Sequence, residues 1–110
     1  HRTPLKKIKT MNYIELTTSA PVVMIEFFAS WCPHCRKMMP IVDQIRKQVD
    51  NRVAIHQLDI DANQAAADEA SVESIPTFLI YNNGQLAWKQ SGATTADILL
   101  EKINKELTSH

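Results

Sequence analysis

The residues best placed to do chemistry are Cys32 and Cys35, the only two cysteines among 110 residues. They share one Cys-x-x-Cys, with Pro33 and His34 between them. A structural staple is a poor explanation, because closing so short a loop removes little entropy from the unfolded chain. Zinc wants four ligands, usually from a second Cys-x-x-Cys or a histidine pair, and neither is present. Arg36 follows the second cysteine where covalent haem attachment needs histidine. The pair therefore points to thiol–disulfide exchange, in which a thiolate attacks a disulfide sulfur and a second thiol resolves the mixed disulfide. A module that carries metal is the competing class. A dithiol can hold Cu(I), but no third sulfur ligand lies nearby in sequence, and no metal is expected.

Exchange needs a thiolate, and a free thiol with a pKa of about 8.5 is mostly protonated at neutral pH. A helix N-terminus offers unpaired N–H groups and partial positive charge to an anion. The sequence supplies one. Residues 21–28 (PVVMIEFF) read as a buried strand, nearly continuously apolar and rich in β-branched and aromatic side chains. From Pro33 to Val49 a helix is predicted, with Met38, Ile41, Val42, Ile45 and Val49 on its inner face. Pro33 suits the first turn, and Pro40 should kink the interior. Cys32 thus falls at an exposed helix start as nucleophile, and Cys35 turns inward as the resolving thiol. His34, between the two sulfurs, is a candidate for stabilising thiolate. Glu26 interrupts the apolar strand six residues before Cys32 and is read as a buried proton-transfer group.

The remaining elements must hold this strand–helix junction. Val53 to Ile60 reads as a second buried strand, and Asp61 as the cap of a helix running to Ala70. Thr77 to Tyr81, the turn Asn82-Asn83-Gly84 and Gln85 to Gln90 read as a hairpin. Thr94 with Asp97 resembles a capping box for a last helix whose stripe is Ala96, Leu100, Ile103 and Leu107. Lys6 to Lys9 could add an edge strand, and a short helix could cover Met11 to Leu16. The expected architecture is one α/β domain with a mixed sheet of four or five strands and helices on both faces. Strand–helix–strand units should pair in parallel and the hairpin antiparallel. Met38 and Met39 are read as packing residues and His56 as a structural or surface histidine.

Phe27-Phe28-Ala29-Ser30-Trp31-Cys32-Pro33-His34-Cys35-Arg36-Lys37 resembles the active-site segment of thioredoxins, and Ser74-Ile75-Pro76-Thr77 resembles that family's cis-proline loop. Asn83-Gly84 and Ser91-Gly92-Ala93 fall where the family has its hairpin turn and a later substrate-side glycine. The resemblance runs from about Val22 onward. It implies the thioredoxin fold and a protein-disulfide oxidoreductase. Trp31 would flank the reactive sulfur, with Ile75, Pro76 and Gly92 holding an extended substrate segment. Glu26 stands where thioredoxins usually carry a buried aspartate, and Gln57 where many carry lysine. Pro33-His34 replaces the usual Gly-Pro and is shared with the strongly oxidising DsbA proteins. Pro33 and Gln57 are accordingly candidate redox-tuning residues, and a DsbA-like oxidase or isomerase is the alternative to a reductant or general interchange protein.

The resemblance implies no cofactor beyond the Cys32–Cys35 pair, protein thiols and disulfides as substrates, a separate redox partner, and a monomer. Twelve basic side chains balance twelve acidic ones, which gives no support for nucleic acid as a partner. No apolar run is long enough to span a membrane. The basic start leads into no apolar signal segment, and the chain does not begin with Met, so cytoplasm and periplasm both stay open.

Overall fold

The computed structural model describes residues 12–109. Its elements, in chain order, are α1 (Tyr13–Thr17), β1 (Val22–Phe28), α2 (Pro33–Gln48), β2 (Val53–Asp59), α3 (Gln64–Glu69), β3 (Thr77–Asn82), β4 (Gln85–Ser91) and α4 (Ala96–Leu107). The expected edge strand over Lys6–Lys9, and Met11 at the start of the first helix, lie outside the described residues. The four strands form one mixed sheet in the order β2-β1-β3-β4.

Alternation along β1 divides the core into two layers. Val22 and Met24 join Met38, Val42 and Ile45 of α2 and Leu99 and Ile103 of α4 on one face. Val23, Ile25 and Phe27 join Tyr13 of α1 and Ala67 of α3 on the other. β1 is buried on both faces, as its nearly continuous apolar run requires. Met38 is a packing residue as expected, whereas Met39 is 39% exposed and turns away from the core. Helix α2 continues through Pro40 to Gln48 and is capped by Val49, whose N–H reaches the Ile45 carbonyl at 3.0 Å.

The pairing of β1 with β2 is parallel, as a strand–helix–strand unit predicts, but β3 runs antiparallel to β1 on its other side. Helix length explains the difference. The seven residues of β1 carry the chain about 23 Å. The 16 residues of α2 bring it back about 24 Å, to the end where a parallel neighbour must begin. The six residues of α3 return it only about 9 Å, so the chain re-enters the sheet from the end at which it left.

Both ends of α3 are set by local bonds absent from the expected Asp61-to-Ala70 helix. The Asp59 carboxylate accepts the Asp61 N–H at 2.9 Å, and the Asp59 carbonyl accepts the Ala62 N–H at 3.0 Å, which holds residues 59–62 in turns. Asn63 rather than Asp61 is the N-cap, and its side chain makes no capping bond. At the other end Ser71 adopts φ 56°. Its N–H donates to Asp68 O at 3.1 Å, and the Val72 N–H donates to Ala67 O at 2.9 Å. This is a Schellman stop with serine where glycine is usual. Lys89 then donates to the carbonyls of Ala70 (3.1 Å) and Ser71 (2.9 Å).

The hairpin joining β3 and β4 turns on Asn83 (φ 50°) and Gly84 (φ 82°), the left-handed pair that a two-residue turn of type I′ needs. A Cβ on Gly84 would lie 2.8 Å from the Thr18 methyl. The cap of α4 is Thr95, not Thr94: its hydroxyl accepts the Ile98 N–H at 3.2 Å. The third helical residue is then Ile98, so no capping box forms, and the Thr94 hydroxyl oxygen is buried without a hydrogen-bond partner among the described residues. Leu99, absent from the expected stripe, is fully buried with Ile103, while Ala96, Leu100 and Leu107 pack at the margin. We expect Leu99→Ala to cost about 2–5 kcal/mol in urea unfolding and Ile98→Ala, at a 38% exposed position, well under half of that. Equal costs would remove Leu99 from the buried stripe of α4.

Candidate active site

The cysteines occupy the junction between β1 and α2. Cys32 is the N-cap of α2, with extended φ −91° and ψ 115°, and Pro33 supplies the first helical residue. The Cys32 sulfur accepts the backbone N–H of Cys35 at 3.2 Å, which is the part an N-cap oxygen usually plays. The first turn carries no acidic residue to repel a thiolate. Both cysteines are free thiols here.

The expected contrast between an exposed Cys32 and a buried Cys35 is small in this reduced form: they are 5% and 1% exposed. Cys32 turns its sulfur back onto the helix start, and Ile60 and Ile75 pack against the cluster of Ala29 and the two cysteines. What separates the two thiols is their surroundings. Burial pushes the Cys35 thiol up to about 12. Its hydrogen bond with Cys32 adds to this, an Ala29 backbone hydrogen bond opposes it, and the Cys32 and Glu26 charges add smaller increments. Cys35 is therefore protonated at neutral pH and needs a base before it can attack.

Glu26 is fully buried in β1, on the face that packs against α2. Gln57 is its register partner on β2 and donates to Glu26 Oε1 at 2.9 Å. The other carboxylate oxygen, Oε2, is buried and has no hydrogen-bond partner among the described residues. Burial raises the Glu26 pKa above the usual carboxylate range, against the Gln57 hydrogen bond and then the Arg46 charge, which pull it down. Glu26 and Gln57 were each legible from the sequence as candidate site residues. Arg46 was not: it donates to Gln57 Oε1 at 2.8 Å from the last turn of α2, a position that looks like ordinary helix surface.

His34 is exposed at the second helical position, and no hydrogen bond joins its ring to either sulfur among the described residues. His56 lies apart from the site, with Nε2 2.9 Å from the Ser19 hydroxyl. Trp31 is 61% exposed, and its indole N–H donates to the Asp61 carboxylate at 3.0 Å. Asp61, expected to cap α3, instead orients this tryptophan.

Across from the cysteines the Ile75–Pro76 peptide is cis. The loop is braced by Thr77, whose hydroxyl donates to Ser74 O at 2.6 Å and lies 3.0 Å from the Ser91 hydroxyl. The Gly92 N–H donates to Pro76 O at 2.7 Å. Nothing lies within 4 Å of where a Gly92 Cβ would project, so the space before it is open. An open groove of about 290 Å³ runs between Trp31 and Ile75, floored by Ile60, Ala67 and Val72. Its apolar walls and the extended loop beside it suit a polypeptide segment. Ile60, Ala67 and Val72 were missed as groove residues because each reads as ordinary core in sequence. No group of three or more His, Cys, Asp or Glu able to hold a metal occurs among the described residues, and no helix there is long and apolar enough to cross a membrane.

Comparison with known proteins agrees with this geometry. The family profile described as Thioredoxin matches residues 5–105. The chain is 33% identical over 93 residues to a thioredoxin of Rickettsia prowazekii, covering 84% of this chain and 89% of that one. It is 32% identical over 90 residues to a thioredoxin of Bacillus subtilis, covering 82% and 86%. Among solved structures it superposes on a point-mutant thioredoxin of Halobacterium salinarum with TM-score 0.77 at 28% identity, covering 84% of this chain and 80% of that chain. On Fasciola hepatica thioredoxin the TM-score is 0.74 at 31% identity, covering 84% and 86%. The family match spans both cysteines, the Pro76 loop and the hairpin, and the chain belongs to the thioredoxin family of protein-disulfide oxidoreductases.

Proposed function

We propose that the protein is a reductant or general interchange protein for disulfides in other proteins, with Cys32 attacking, Cys35 resolving and Glu26 accepting the Cys35 proton. The observation that carries the assignment is the capping bond: the Cys32 sulfur, and not that of Cys35, faces the unpaired N–H groups of a helix start. A substrate segment lies in the groove between Trp31 and Ile75, against the Ile75–Pro76 loop and Gly92. The Cys32 thiolate attacks one sulfur of the substrate disulfide, and the other sulfur leaves as thiolate. Cys35 gives its proton to Glu26, and its thiolate attacks Cys32. That step breaks the mixed disulfide, forms Cys32–Cys35 and releases the second substrate thiolate. The substrate gains two electrons and the protein loses two, to be restored by a dithiol partner. Nothing in the cycle calls for a cofactor or metal, and one monomer carries all the groups used. The link from β2 to β3 holds only the six-residue α3, without the helical insertion usual in DsbA-like oxidants, which supports the reducing direction.

Cys35→Ser should accumulate mixed disulfides with substrate proteins on non-reducing gels, and Cys32→Ser should not. Equal trapping by both would reverse or abolish the assignment.

Pro33 and His34 supply the tuning in this reading. His34, at the second helical position, favours the Cys32 thiolate and with it the reduced form, which makes the disulfide more oxidising. Replacing Pro33-His34 by Gly-Pro should lower the potential by several tens of millivolts, where about 30 mV is 1.4 kcal/mol for this two-electron couple. A native potential at or below about −270 mV, unmoved by the swap in glutathione equilibration, would remove His34 from the tuning.

Glu26→Ala should leave formation of the mixed disulfide nearly intact and slow its decay by roughly 10- to 100-fold, read by rapid quench at pH 7. Stability gives an independent check on the sign. The folded state raises the Glu26 pKa, so it binds the proton more tightly than the unfolded chain does. The favourable contribution is full below the ordinary value of 4.5 and is lost as pH rises through the folded pKa. The loss of unfolding free energy over that interval should be smaller in Glu26→Ala, measured by urea titration at successive pH values.

A further inference from the structure

We infer that Arg46 is a positioning residue for the exchange reaction: by holding the carbonyl end of the Gln57 amide, it fixes the amino end on Glu26 and keeps that carboxyl group in its proton-accepting form. The inference rests on the reading of Glu26 as proton acceptor given above.

Two hydrogen bonds run from the surface to the buried acid, and a third anchors Arg46 to the β2 backbone. Arg46 Nη1 donates to the Ile55 carbonyl at 2.7 Å and Nη2 to Gln57 Oε1 at 2.8 Å, while Gln57 Nε2 donates to Glu26 Oε1 at 2.9 Å. An amide can be turned end for end, and its two orientations favour opposite states of a neighbouring carboxyl group. With nitrogen toward Glu26 the amide is a donor and favours carboxylate. With oxygen toward Glu26 it is an acceptor and favours the protonated acid. A guanidinium has only donors, so the amide end that faces Arg46 must be oxygen. Arg46 thereby excludes the orientation that would favour protonation.

The Ile55 carbonyl makes the hold two-pointed. Ile55 and Gln57 are two residues apart on β2, and the forked guanidinium spans the backbone carbonyl of one and the side-chain amide oxygen of the other. A lysine has a single ammonium and no such fork. The groups facing Glu26 leave little else to do this work. Helix α2 brings Cys35 and Arg46, β2 brings the neutral Gln57, and β3 brings Phe78 opposite Glu26 in register. Among the described residues the only other hydrogen-bond acceptor for the Gln57 amino group is the Met39 sulfur at 3.8 Å, a weak one. The fall that Arg46 and Gln57 impose on the Glu26 pKa runs the same way.

The test uses the whole chain with Arg46→Met, Arg46→Lys, Gln57→Leu and the double variant Arg46→Met/Gln57→Leu. The Glu26 carboxyl carbon is titrated by NMR, and the decay of the mixed disulfide is followed against pH. Arg46→Met should raise the Glu26 midpoint by about 0.5–1 pH unit, and the rise of the decay rate should move up in pH by the same amount. Arg46→Lys should recover only part of the shift, and it serves as second variant should Arg46→Met fold poorly. In the Gln57→Leu background, adding Arg46→Met should move the midpoint by less than a third as much. An equal shift in both backgrounds, no shift at all, or full recovery by lysine overturns the positioning role. Should the Glu26 midpoint move while the decay profile stays put, the Arg46 role stands and the proton-acceptor role of Glu26 fails. The Glu26→Ala kinetics report on that second point independently.

Discussion

A strand of seven residues carries the chain about 23 Å, and any connection that is to start a parallel neighbour must carry it back by as much. Helix α2 does so, and α3, stopped after six residues, does not. The site depends on that shortfall. Because the chain leaves β2 and re-enters through β3 at one end of the sheet, the Ile75–Pro76 loop arrives where β1 delivers Cys32. Were α3 as long as α2, Pro76 would stand at the far end of the sheet. The devices that shorten it are small: an aspartate that occupies the N–H groups of a turn, a serine held in a left-handed conformation, and a lysine from β4 on the last carbonyls.

The second constraint is electrostatic. A carboxyl group in the middle strand of a sheet resists ionisation, and a thiol sealed beneath a helix start resists it too. Either alone would be a destabilising oddity. Together they give two groups that both hold protons too tightly, one from the acidic side of neutrality and one from the basic side. The raised Glu26 pKa makes its carboxylate a better base for the transfer proposed from Cys35.

Much of this could be read from the residues. The buried strand 21–28, the inner face of the helix after Pro33 and the Asn83–Gly84 turn follow from periodicity and turn chemistry, which act over a few residues. The cysteine pair and Glu26 stand out because each violates its surroundings. What escaped depends on partners remote in sequence. Asp61 looks like a cap until Trp31 is placed beside it, and nothing local says that Asp59 will claim the turn first. The stop at Ser71 hides because serine stands where glycine would have announced it. Thr94 and Thr95 compete for one cap, and the wrong choice turns the α4 stripe by one residue and loses Leu99. Arg46 is the clearest case. Its role exists only once the last turn of α2 lies across β2.

The Cys32 sulfur that caps α2 also links the fold to its redox state. As a thiolate it is a full anion against the Cys35 N–H; bound in a disulfide it is a weak, neutral acceptor. Helix and electron pair are thus corners of one thermodynamic square, with folding along one side and reduction along the other. Around a closed square the free energies must sum to zero. Any substitution that steadies the helix start in one redox form more than in the other must shift the potential by the same free energy. A denaturation curve for each form, set against the potential of the unfolded chain, would therefore yield the redox potential of the native protein without an electrode.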